Sequence, residues 1–579
     1  TRAHLVGADL SEAQLARSIL KEADLTNASL NEAVLAEADL SGAILDHITL
    51  KGVNLSHTKL NGASFQSVDL ESANLSFAEL RGAQFSGAIL SDANLSHANL
   101  SDALCQRLQA NGARLNEANV ERADFSDAQL MGLKASQMRG LSTRWSNAQL
   151  QNADFSEALL SQSDFSNAQA ERGVFNRVQM IEASLQDAAL AQAQFQEANL
   201  TGANLTGANL TGANLTGADF TNAQLINVDL TGALLNGLIL SETLFSPTSL
   251  KDASAVGLDL SALDLGTLMT VENWSRFDAS QSTLPSISCN EADLRGLKLE
   301  NGFWERAELN KANLSGVQWS GVQLSGAQLK SARLVGADLS GANLTGVDFS
   351  GADLTEVNFK GANLTQAILD QTILDRADFT GALLEGVLIN DARGETVNMS
   401  ETKLNKARFT RCKLPNIKLN KAEMSEVHCS LVDAPHADLR LITAEYTAWR
   451  ECGLMNASLQ GARLDHSSWI ESTLRGATLS ESSWEEAHVS SCLMSHIIAH
   501  DVDFSVISTW SEINLMGAQL LNCKLDGLDL NSHNLEEARI QRSSLSQVNL
   551  NNARLRKAVI TEGNAIQATF NLADLAEAT

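Results

Sequence analysis

The chain has 579 residues, 44% of them hydrophobic and 5% aromatic, and a formal net charge of −27. Its core must be built mainly from Leu and Ala, and its charge argues against nonspecific binding to nucleic acid or anionic membranes. No apolar run approaches the roughly 18 residues a membrane helix needs, and no signal peptide opens the chain.

From the N-terminus the sequence repeats every five residues. Ala8-Asp9-Leu10-Ser11-Glu12 is one unit, Leu15, Leu20 and Leu25 continue the frame, and TGANL runs through residues 201–215. A period of five fits neither a helix nor a long strand. Within a unit Ala and Leu are two apart, so both point one way while the Asp or Asn between them points the other. The remaining two residues must turn the chain. Gly7, Gly42, Gly112 and Gly202 hold the second corner position, where a type II turn needs positive φ. Corners with Ser, Asp, Glu or Asn there predict a mixture of turn types. Pro285, Pro415 and Pro435 hold the first corner position, which suits their fixed φ, whereas Pro247 holds the second and predicts a local distortion.

These units resemble the pentapeptide-repeat family, whose pattern is A(D/N)LXX, and the resemblance covers essentially the whole chain. It implies an all-β fold, a right-handed quadrilateral β-helix. With about twenty residues per coil there would be about 29 coils, and at about 4.8 Å per coil a rod on the order of 140 Å.

Along the chain the frame slips twice. Residues 1–265 keep a first register, 266–283 form an irregular segment, 284–504 run in a shifted register, 505–509 read as a bulge, and 510–579 return to the original register. The irregular segment is either a bulge the stack tolerates or a protruding loop that meets a partner. Trp274 would be paired there with Glu272, a poor inward residue. Trp274, Arg276, Phe277 and Asp278 are therefore the candidate interaction loop. The other tryptophans (Trp145, Trp304, Trp319, Trp449, Trp469, Trp484 and Trp510) take the central inward position. Their neighbours two residues earlier are Thr143, Gly302, Val317, Thr447, Ser467, Ser482 and Ser508, mostly small, as a close-packed interior requires.

The frame also sorts the reactive side chains. All seven cysteines fall on inward positions, and Cys412, Cys452 and Cys492 lie in alternate coils, roughly 9.6 Å apart and beyond disulfide reach. They read as structural thiols, which suits a reducing, cytoplasmic compartment. Ten of the eleven histidines fall on outward or corner positions, and His57 and His97 are two coils apart, too far to share zinc. His533 takes an inward position and should find a hydrogen-bond partner. The sequence offers no metal or cofactor motif and no catalytic constellation, so an enzyme is not expected.

What remains is binding. The first reading is a structural scaffold or protein-interaction module within a larger bacterial protein or assembly. It would engage partners through outward faces, the irregular segment or the ends, where Thr1 and Leu575 sit inside the running pattern and suggest flanking sequence or self-association. FTRCKL, WRECGLMNASLQGARL and SSWIESTLRGATL resemble in style the arrays of type VI secretion accessory proteins. The second reading, also implied by the family resemblance, is an acidic DNA mimic that binds a type II topoisomerase (gyrase). Duplex DNA of the expected length would carry roughly 80 charges. The net charge of −27 is about a third of that, so a uniform mimic is disfavoured.

Overall fold

The computed structural model describes residues 1–260, 276–284 and 286–579, and no helix occurs among them. The chain divides into two units, Thr1–Thr283 and Leu284–Thr579.

Among the described residues of the first unit the pentads contribute bridging residues, and as far as Leu234 and Ser254 the bridged residues are twenty apart. His4 pairs with Asp24, Asp9 with Ser29, Gln14 with Val34 and Ile19 with Asp39, all parallel. Four pentads therefore close one coil of a quadrilateral β-helix. Leu25 N–H donates to Ile44 O at 2.8 Å and Asp24 N–H to Ala3 O at 2.9 Å, so the coils on either side satisfy the strand amides. Ala203, Leu205, Ala208 and Leu210 are buried, each burying Leu contributing about 1.5–3 kcal/mol. The longer strands are β1 (Gln224–Ile226) and β2 (Leu244–Ser246). Near the end of this unit Ser254 bridges Asp278 and Asp259 bridges Thr283, 24 residues apart, so four residues are added to one coil.

The second unit repeats the plan. Its strands β3 (Leu388–Asn390), β4 (Arg408–Thr410), β5 (His428–Ser430), β6 (Ala448–Arg450), β7 (Ser468–Ile470), β8 (His488–Ser490) and β10 (Thr509–Ser511) form a seven-stranded parallel sheet. A four-stranded sheet holds β9 (Ile498–His500), β11 (Gln519–Leu521), β12 (Arg539–Gln541) and β13 (Val559–Thr561). One residue is added where His488 pairs with Thr509, 21 positions on. The amides of Ser508 and Thr509 both point at Ala487 O, at 2.9 and 3.4 Å, the geometry of a β-bulge. The extra residue turns Ser508 out to solvent and puts Ile507 inside, which corrects the pairing of Ser508 with Trp510.

The corners also depart from expectation. Glu12, Arg17 and Gln137 have φ of 60°, 59° and 58°, close to the 66° of Gly7, so glycine does not decide the conformation. Corners differ instead in how they close. Ala8 N–H donates to Leu5 O at 3.0 Å across an ordinary turn, whereas at Asn390–Asp391 the ladder runs one residue further into the corner, pairing Asn390 with Thr410. Mixed corners exist, but ladder length sorts them. At Pro247 the fixed φ forbids the left-handed turn. Pro247 is buried, Thr248 is turned outward, and Thr248 N–H reaches Val228 O at 2.8 Å, the local distortion expected there.

Candidate interaction surface

The outward Asp or Asn of each pentad does more than face water. Asp24 Oδ1 accepts the amide of Thr26 at 3.1 Å and its hydroxyl at 2.6 Å. Asn209 does the same for Thr211 at 3.0 and 2.6 Å. The first corner amide would otherwise lack a protein acceptor, so the carboxylate or amide caps the turn. Elsewhere an Asn or Asp of the preceding coil caps the corner, as Asn61 Oδ1 does for Arg81 N–H at 3.0 Å and Asp46 Oδ1 for Gln66 N–H at 2.9 Å. The hydrogen bonds from the side chain and then the backbone of Thr26 hold the Asp24 carboxyl below its ordinary value.

Corner residues stack in columns along each unit. Arg17 pairs with Glu37 at 2.8 Å, Arg376 with Glu356 at 2.6 Å and Arg411 with Asp391 at 2.7 Å, all exposed and so each contributing little. One column carries a sandwich that the histidine spacing did not reveal. Phe77 lies between His57 and His97, with centroids 4.8 and 4.5 Å apart and near-parallel rings. Tyr446 stacks on His466 at 4.6 Å in the second unit.

The interior shows why small hydroxyl residues precede the tryptophans. Trp145, Trp449, Trp469 and Trp484 donate their indole N–H to Thr143, Thr447, Ser467 and Ser482 at 2.8, 3.1, 2.9 and 2.7 Å. Val317 cannot accept, and Trp319 donates to Leu297 O at 3.0 Å instead. Trp304, beside Gly302, has no acceptor for its buried indole. All seven cysteines are buried and free. Desolvation pushes Cys289 up to about 12 and Cys452 up to about 11, so both stay protonated thiols. The Cys452 thiol donates to Arg450 O at 3.3 Å. His533 is buried with Nδ1 2.9 Å from Asn531 O, while its Nε2 has no partner. The apolar void around Cys429 and Trp449 measures about 20 Å³, room for about one water. Among the described residues no group of His, Cys, Asp and Glu is placed to hold a metal ion.

Of the candidate interaction loop, Trp274 lies outside the described residues. Arg276 is exposed and ion-paired with Asp252. Phe277 is buried, and Asp278 sits in the ladder with its amide on Ala253 O at 3.0 Å. These three residues belong to the coil.

The charge pattern has one sharp irregularity. The coil 402–421 carries Lys403, Lys406, Arg408, Arg411, Lys413, Lys418 and Lys421 and no Asp or Glu, in a chain of net charge −27. Lys403, Arg408, Lys413 and Lys418 are exposed at the outward strand position, one on each of its four faces, where the repeat elsewhere favours Asp or Asn. The corner cations Arg411 and Lys421 are neutralised by Asp391 and Glu401 of the preceding coil at 2.7 and 3.2 Å. Composition alone hid this belt, because the net charge averages it away.

A coiled array of pentads with apolar interior and variable exterior defines a repeat protein. The family profile described as pentapeptide repeats matches residues 8–46, 50–127, 146–232, 287–393, 452–495 and 513–576. This is well over half of the chain, and the chain belongs to the pentapeptide-repeat family. No curated protein sequence matches it. Among solved structures it is similar to HetL, a pentapeptide repeat protein involved in heterocyst differentiation regulation in the cyanobacterium Nostoc. That match is 27% identical over 42% of this chain and 92% of HetL, with a TM-score of 0.20. The plasmid-mediated fluoroquinolone resistance protein QnrB1 matches at 23% identity over 34% of this chain and 90% of its own, with a TM-score of 0.17. A pentapeptide repeat protein of the Arabidopsis thaliana thylakoid lumen matches at 31% identity over 20% of this chain and 68% of its own, with a TM-score of 0.12.

Proposed function

We propose that the chain is a non-enzymatic scaffold that binds protein partners through its outward faces, as one part of a larger bacterial assembly. Secretion machinery is the class of assembly suggested by the style of the C-terminal repeats. The observation that carries the reading is the cationic coil 402–421. Four exposed cations stand where the repeat favours Asp or Asn. Lys403, Lys413 and Lys418 are in register with Glu423, Asp433 and Asp438 of the next coil, and all four stay exposed enough to meet a partner's carboxylates. The exposed Arg276 and neighbouring Trp274 are proposed as a second contact region.

The competing gyrase-binding mimic needs carboxylates on successive coils of one face. The column Gln109, Gln129, Gln149 and Gln169 is uncharged, and the cationic coil reverses the sign outright. Co-expression with the products of neighbouring genes, followed by size exclusion, tests the scaffold. Lys403→Gln, Arg408→Gln, Lys413→Gln and Lys418→Gln together should abolish co-elution and leave the melting temperature unchanged. Capture of gyrase by the unmodified chain, lost at high salt, would overturn the reading in favour of the mimic.

A further inference from the structure

The seven-stranded sheet of the second unit differs from every other face around it. Each of its strands turns its first and third residues outward and buries the middle one. None of those fourteen outward residues is Asp or Glu, although the chain has 69 acidic residues. The contrast is local. In the coil 422–441 the other faces present Glu423, Asp433 and Asp438 at the position where this face presents His428. Because its corners let the ladder run one residue further, the face is also broader than the single-bridge faces elsewhere.

Its polar content is cationic and small. Arg408 has no ion-pair partner among the described residues, and Arg450 is held only by the adjacent Glu451 at 3.4 Å. His428 is exposed beside Arg408, and Ser430, Ser468 and Ser490 are small outward residues on β5, β7 and β8. The rims supply the contact area. Tyr446, the chain's single tyrosine, is 58% exposed and held rigid by His466, and Leu431 is 46% exposed across the sheet. The exposed corner residues Glu426, Glu451, Glu471 and Glu486 confine a partner's carboxylates to the strip over Arg408, His428 and Arg450. Arginine and tyrosine are the side chains that most often dominate protein interfaces.

We propose that this face docks an extended acidic segment of a partner protein. The inference rests on the scaffold reading and names the chemistry of its partner. Seven strands at about 4.8 Å span on the order of 30 Å, the length of about nine extended residues. A second copy docking through the same face would set Arg408 and Arg450 against like charges, so a symmetric contact is disfavoured. A longer polyanion such as duplex DNA runs past the patch onto carboxylates on both sides.

The test is fluorescence anisotropy of the full chain with a labelled peptide of about twelve residues alternating Glu with Ser and Leu. Binding should weaken by about tenfold or more in Arg408→Glu/Arg450→Glu, which removes two close charge pairs. It should be unchanged in Lys298→Glu/Arg333→Glu, which makes the same charge change on other faces. Tyr446→Ala should weaken it severalfold with no change of charge. Equal loss in both charge-reversal variants, tighter binding of a short DNA duplex, or no binding by the unmodified chain would each overturn the inference. A chain that still co-elutes with its assembly partner while ignoring the peptide sinks this proposal alone and leaves the scaffold standing.

Discussion

At the scale of single residues, the structure assigns work to side chains whose sequence position shows only direction. Thr447 and Ser467 sit beside tryptophans because they are small, yet their hydroxyls also accept the indole N–H. Thr447→Val keeps the shape and orphans the Trp449 indole, and should destabilise by about 1–3 kcal/mol in urea titrations. The same replacement logic leaves Trp319 untouched, since its acceptor is a backbone carbonyl. Frame position alone predicts that Leu210→Lys costs several kcal/mol and Asn209→Lys almost nothing. The buried Leu210 upholds the first half, through an unpaired buried charge. Asn209 caps Thr211 through two hydrogen bonds, so its loss should instead cost about 1 kcal/mol. Thermal melts of the two variants measure both.

Elements in this protein are corners as much as strands, and corner cost is set by the neighbouring coil. Gly52 and Gly207 share the left-handed conformation, at φ 68° and 74°. A Cβ at Gly52 meets nothing within 4 Å, so Gly52→Ala should cost only the left-handed strain, about 1–2 kcal/mol. At Gly207 the added carbon runs into the Asp187 carboxylate, and Gly207→Ala should cost more until that side chain moves. Equilibrium unfolding of the pair separates intrinsic strain from the coil-to-coil contact. The buried thiols are shielded by the same stacking of coils. With desolvation holding Cys289 up to about 12, native protein at pH 8 should resist alkylation and react only when denaturant opens the coils.

For the whole molecule, the corner caps make stability depend on acid. Asp9 and Asp24 are held below the usual carboxylate range by hydrogen bonds from Ser11 and Thr26. A carboxyl whose folded value is depressed contributes stability above its unfolded value and loses it as pH falls through the folded one. Melting temperature should therefore hold near neutral pH and begin to fall below about pH 4, the ordinary carboxylate range. A melting temperature that stays flat down to the lowest pH would mean the caps carry no differential protonation. The ion-pair columns add little to this, because both partners are exposed.

Which residues face inward was legible from the chain alone, because alternation along a three-residue strand is a local property. Ala, Leu and seven of the eight tryptophans fell into place, as did the cysteines, and Pro247 announced its own distortion. The corners read only in part: mixed corners were expected, but glycine does not sort them. Their left-handed geometry is imposed on Glu12 and Arg17 by the stack, whatever the side chain prefers. The Phe77 sandwich, the Leu297 acceptor of Trp319 and the seven-stranded face were also hidden, since each joins residues about twenty apart that become neighbours only when the coil closes. Period and polarity determined the fold. Tertiary stacking decided which side chains meet, because contact across coils depends on the rise and register of the whole array and not on any one repeat.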